Sequence, residues 1–248
     1  MKHYVPEFLG VILALLLINV WYLAGVAIEE SILPIEYEFS IKLFSVIIGA
    51  FIGAYSAFKL DQSEKKLAEH KENRIVMNRT LFILVQQINA IKLVKRDLDK
   101  YQSDFEKAFN LPALAQPDYS DLKFEQNKLS FLIEHHYAHI LMELRLEQSR
   151  FEQAMGSIKI RNEFYINEVQ PLVSKHELTG KKLPLKEYHY KLGERVFKGA
   201  FQGIEQVCFH VEETETSLME LFNKVSIIAK ELFPKEIILN WSEKPKSQ

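Results

Sequence analysis

Ile41-Lys-Leu-Phe-Ser-Val-Ile-Ile-Gly-Ala-Phe-Ile-Gly-Ala-Tyr-Ser-Ala-Phe-Lys-Leu60 is the stretch on which the reading of this chain turns. No charged residue stands between Leu43 and Phe58. As a helix this run reaches roughly 24 Å, short of a hydrocarbon core of about 30 Å. Lys42 and Lys59 close the difference as interface anchors, because a lysine stem lies in lipid while its ammonium reaches water. Small residues recur at every fourth position, Ser45, Gly49, Gly53 and Ala57. At that spacing they form one groove on one helix face, where another backbone can approach. Glycine is also common in membrane helices generally, but four small residues in register favour a packing face.

A second uncharged run, Phe8 to Ile28, lies upstream and is long enough to span. Gly25 and Ala27 stand where a signal peptidase could cut. The run is nevertheless longer than a usual signal core, and bulky Trp21 and Tyr22 precede the site. Those two aromatics read better as an interfacial belt. Asn19 is the strongly polar residue of this span. An unpaired amide in lipid is costly, so it should find a partner inside the bundle or line a water-filled path.

The reading is therefore a transmembrane hairpin over 1–60, with spans at 8–28 and 41–60 and a loop at 29–40. That loop holds Glu29, Glu30, Glu36 and Glu38 and no lysine or arginine, whereas Lys59, Lys65, Lys66, Lys71, Arg74 and Arg79 follow the second span. Cationic flanks stay on the cytoplasmic side, which puts both termini inside. Beyond Phe58 the charges nearly balance: 31 Lys+Arg less Lys2 and Lys42 leaves 29, and 33 Asp+Glu less Glu7 and the four loop glutamates leaves 28. A clustered basic excess, the footprint of nucleic-acid binding, is absent. Cys208 is the single cysteine, so no intrachain disulfide forms.

The rest reads as all-helical. Met77, Leu81, Leu84, Ile88, Ile91, Val94, Leu98, Tyr101, Phe105 and Ala108 follow one another in steps of three and four, the stripe of an amphipathic helix. This predicts a cytoplasmic stalk over 61–110 that continues the second span, with the polar neck Asp61–Asn73 as the place for a break. The turn-rich segment Asn110–Asp121 ends the stalk. A helical bundle is expected over 122–233, its first helix running to Val169 and stopping before Pro171. Its last helix is expected to open at Pro184 and end at Pro234. Gly199 and Gly203 fall on the apolar face of that helix, where close packing would justify glycine. Residues 234–248 form a tail. The fold class is all-α: a two-helix hairpin, a long stalk and an antiparallel bundle or coiled coil.

Chemistry is sparse. In Glu134-His-His-Tyr-Ala-His-Ile-Leu-Met-Glu143, helical spacing would let His135, His136, His139 and Glu143 share a metal. The pattern is not that of a zinc protease, and the histidines read as solvated or core residues. Neither a phosphate loop nor a nucleophile elbow is present, and Arg161-Asn162 lacks the nearby histidine of a helical RNase. The expectation is a non-enzymatic protein without metal or cofactor.

The order of spans and stalk, with a helix closing on Arg161-Asn162 and Glu168-Val169-Gln170-Pro171, resembles the two-transmembrane effectors of bacterial anti-phage systems, particularly retron-encoded ones. The likeness is architectural and covers most of the chain. It implies a multi-pass protein of the bacterial inner membrane, a toxin held silent by a cytoplasmic protein or ribonucleoprotein until infection. The expected partners are then the bilayer, further copies in a homo-oligomer, and that cytoplasmic partner. A membrane-anchored scaffold or adaptor fits the same sequence features.

Overall fold

The computed structural model describes residues 5–30, 37–115, 117–178 and 184–241, and side chains from Ile12 onward except at 13, 37, 38, 41 and 42. Residues 179–183, where the turn before Pro184 is expected, half of the 29–40 loop, the Lys42 side chain and the tail beyond Trp241 lie outside the described residues. All regular structure among the described residues is helical. Two compact units divide the chain, Met1–Lys71 and Glu72–Gln248.

The first unit holds helix α1, Val5–Glu29, and the start of helix α2, Tyr37–Leu98. From Leu43 to Leu60 every side chain of α2 is exposed except half-buried Ser45 and Ile52. The polar neck is helical without interruption, so the break expected between Asp61 and Asn73 is not there. Lys65 pairs with Asp61 one turn away at 2.8 Å, and the strong helix formers of Lys65–Glu72 sustain the turn geometry without tertiary support.

The second unit is built on the remainder of α2 and on helices α3 (Asp104–Phe109), α4 (Phe131–Glu134), α5 (Ala138–Phe164), α6 (Gln170–Lys175), α7 (Leu185–Leu192) and α8 (Glu194–Leu232). Met77, Leu81, Leu84, Ile88 and Ile91 of α2 are fully buried and join one core with α5 and α8. Helix α5 packs along α8. Glu143 meets Lys224, Glu147 meets Ser217, and Glu168 just beyond α5 meets Arg195. Residue numbers rise on one side as they fall on the other, so these two helices run antiparallel.

Four boundaries depart from the expectation. Helix α2 stops at Leu98 rather than near Asn110. Ser103 caps α3: its hydroxyl accepts from the Glu106 amide, and Glu106 answers to the Ser103 amide. A Ser-x-x-Glu capping box starts a new helix without glycine or proline. The helix expected across 129–144 breaks at His135–Tyr137, where His136 takes φ 66° and Tyr137 N donates to Leu132 O. Pro171 does not end its helix. One π-helical turn, Tyr165–Val169, precedes it, and Gln170 N donates to Tyr165 O; this widened turn admits a ring that an α-helix interior would reject. Last, Gly193 at φ 76° separates α7 from α8, so the helix opened at Pro184 is two helices.

Candidate membrane segment and the polar contacts of the helical unit

Helix α2 is the one helix among the described residues long and apolar enough to cross a membrane, with no residue of its apolar window buried; a shorter apolar helix covers Ala14–Glu29. Ser45, Gly49, Gly53 and Ala57 keep the four-residue spacing within α2. A methyl group added at Gly49 or Gly53 would meet nothing within 4 Å. Asn19 Nδ2 donates to Leu15 O at 3.2 Å, so its own helix supplies the acceptor that the sequence leaves open. Trp21 and Tyr22 are exposed. The Lys59 ammonium lies 5.8 Å from the Tyr55 ring centre, which turns the stem back along the helix toward the aromatic face.

No family model, curated protein or solved structure matches this chain.

In the helical unit the histidine motif loses its premise. The break at His136 puts His135 and His136 outside the helix that carries His139 and Glu143, so the one-face spacing needed for a shared metal does not exist. His135, His136 and His139 are exposed, and Glu143 binds Lys224 at 2.8 Å. Among the described residues no three metal-ligating side chains gather.

Sequence reading missed the role of Arg161 and Asn162. Arg161 is buried, and its guanidinium donates to three main-chain carbonyls: Pro112 at 2.8 Å, Lys107 at 3.1 Å and Leu111 at 2.5 Å. It also lies 4.5 Å from the centre of the Tyr165 ring. Burial lowers its pKa to about 10, which leaves it charged at neutral pH. Asn162 accepts from Leu114 N at 3.0 Å and donates to Leu114 O at 2.8 Å. The pair fastens the loop after α3 by its backbone. Local sequence carries no signal for this role, since the same buried face of α5 also holds Glu147 and Gln148.

Other polar side chains also lie inside, Gln87, Gln148 and Glu147 among them. Gln87 donates to Leu122 O and to Gln148 Oε1, joining α2 to α5. Buried Glu147 accepts from Ser217 and Arg150. Gly199 sits against Phe164, whose Cζ would be 2.7 Å from an added Cβ, while Gly203 faces Arg161 Cγ at a comfortable 3.6 Å. A shallow groove beside α2 is lined by Gln86, Asn89, Leu93, Asp118, Tyr119 and Asp121. Hydrogen bonds from Ser120 lower the Asp118 pKa, so this rim carries negative charge.

Proposed function

We propose that the protein is a membrane-embedded effector: an apolar hairpin inserts in the bilayer, and a cytoplasmic helical unit controls its assembly. One observation carries the reading. The helix Tyr37–Leu98 bears an uncharged apolar stretch with no buried residue, Leu43–Phe58, in its first part and supplies core side chains to the helical unit in its second. Eight large side chains, Leu43, Phe44, Val46, Ile47, Ile48, Phe51, Tyr55 and Phe58, are exposed there. Leaving them in water costs on the order of 10–20 kcal/mol, as much as the whole stability of an ordinary domain. Lipid removes that cost.

The apolar helix Ala14–Glu29 supplies the second rod of the hairpin. The basic flank from Lys59 to Arg79 and the glutamates of the loop set the termini inside. Two rods enclose no water path, so membrane damage requires several copies. The open faces at Gly49 and Gly53 are the natural contact between second spans. Release of the helical unit from its resting pairing lets these faces meet. The defence setting, in the bacterial inner membrane, comes from the architectural resemblance.

Dye uptake and membrane potential in expressing, triggered cells test the toxin. Depolarisation and dye entry are expected; normal values with the protein proven present contradict it. The competing reading, a scaffold, draws on Met142, Leu146 and Ile160, large apolar side chains that lie exposed on α5 for a cytoplasmic partner to cover. If residues 65–248 alone retain activity, the spans are only a tether.

A further inference from the structure

After Leu232 the chain leaves helical geometry at Phe233 (φ −128°, ψ 58°) and folds back on the helical unit. The returning segment, Pro234–Trp241, is gripped by side chains of α2. Arg74 pairs with the Glu236 carboxylate. Asn78 reads the segment's backbone twice, donating to Ile237 O at 3.1 Å and accepting from Leu239 N at 2.7 Å. The Trp241 indole stands edge-on to Phe222 of α8 at 5.8 Å, and the Lys92 ammonium lies 4.9 Å from its ring centre.

We propose that Pro234–Trp241 is a releasable latch that clamps α2 to α8 and holds the helical unit in its resting state. This rests on the membrane-effector reading for its consequence, though not for its opening. Ile238, Leu239 and Trp241 pack half-buried against the core of the helical unit, while the segment's polar contacts are of the kind that exchange readily. No helix or sheet ladder includes the segment, the ion pair is partly exposed on both sides, and Ile237 is 89 % exposed. Individually modest, side-chain-mediated bonds of this sort open locally while a packed core stays closed.

Placement gives the latch its leverage. From Arg74 to Lys92, α2 advances about 27 Å, whereas the backbone from Glu236 to Trp241 extends roughly 17 Å at most. The long arms of Arg74 and Lys92 make up the difference, so one short segment ties several turns of α2. Those turns begin close to Glu72, where the helical unit starts, and belong to the same helix as Leu43–Phe58. Opening would bare Asn78, Arg74 and the Phe222 ring together.

The test uses the full chain in lipid nanodiscs, followed by hydrogen exchange, with dye uptake measured in cells. Glu236→Lys opposes Arg74 and should speed exchange at the Leu239 amide at least ten-fold. Exchange in Leu81–Ile91 and Val207–Leu218 should stay unchanged. Adding Arg74→Glu should restore slow exchange, and Trp241→Ala, at the other end of the segment, should mimic the opening. In cells Glu236→Lys should raise untriggered dye uptake several-fold, and the double variant should return it to the wild-type level. An unchanged Leu239 amide, or core amides that speed up with it, would overturn the latch. So would a cleanly opened segment with no change in dye uptake while triggered wild type still admits dye. If triggered wild type admits none, the membrane reading falls and takes the latch's control role with it; the exchange data still record whether the segment opens alone.

Discussion

At the scale of single residues, the decisive polar groups work on backbone rather than on ligands. Arg161 satisfies three carbonyls with one planar fork, a geometry that an ammonium cannot copy. Arg161→Lys should therefore lower unfolding stability by about 2–4 kcal/mol despite keeping the charge, because at least one buried carbonyl loses its donor. Asn162→Ala removes both bonds to Leu114 and should cost about 1–3 kcal/mol. Denaturant unfolding of each variant checks both values; a change under 0.5 kcal/mol (about the scatter of surface substitutions) would show that the clamp is dispensable. The sequence offered little warning of this role. Arg161-Asn162 was readable only as a failed catalytic pair, because its acceptors lie in the Lys107–Leu114 segment, brought near by the fold. Asn19 is the opposite case: its partner is its own helix backbone, a local bond that needs no tertiary structure.

At the scale of elements, two glycines one turn apart on α8 should respond in opposite ways. Both sit on the face toward α5, and periodicity marks both as packing positions. Only coordinates separate them. Gly199→Ala drives a methyl group into the Phe164 ring, 2.7 Å away, with an overpacking cost of about 1–3 kcal/mol. That exceeds the roughly 1 kcal/mol gained by replacing a helical glycine, so the midpoint of thermal unfolding should fall. Gly203→Ala meets Arg161 Cγ at ordinary contact distance and should raise it. Calorimetry of the two variants checks the signs; equal shifts would contradict the packing described. The elements themselves were largely legible, since the stripe Met77–Leu98 on α2 and its counterpart on α8 follow the helical period. Their ends were less so. The Ser103 capping box, the turn at His136 and the π-helical turn before Pro171 each act through local backbone bonds that hydrophobic spacing does not register.

At the scale of the whole molecule, an all-helical chain was legible from scarce glycine and proline and from long apolar periods. Its division at Lys71/Glu72 falls within the neck, whose exposed charges the sequence displays openly. Since, among the described residues, the core of the second unit draws no side chain from before Val76, residues 65–248 should fold alone as a soluble helical protein. Circular dichroism and sedimentation of that fragment check this. Loss of helicity would mean that the first unit is needed for folding. The histidines, read from sequence as solvated or core residues, are exposed; the spacing of His135, His136 and His139 would matter only if one helix continued through them.

Everything proposed for function depends on Leu43–Phe58 lying in lipid with the helical unit on the cytoplasmic side. The most direct measurement is labelling with a membrane-impermeant maleimide in vesicles of known orientation, starting from full-length Cys208→Ser, since Cys208 is the only native thiol. With Ala54→Cys no labelling is expected from either side until detergent is added. With Lys66→Cys labelling is expected in inside-out vesicles alone. Reaction of Ala54→Cys in intact vesicles, or of Lys66→Cys from the outer face, would contradict the account.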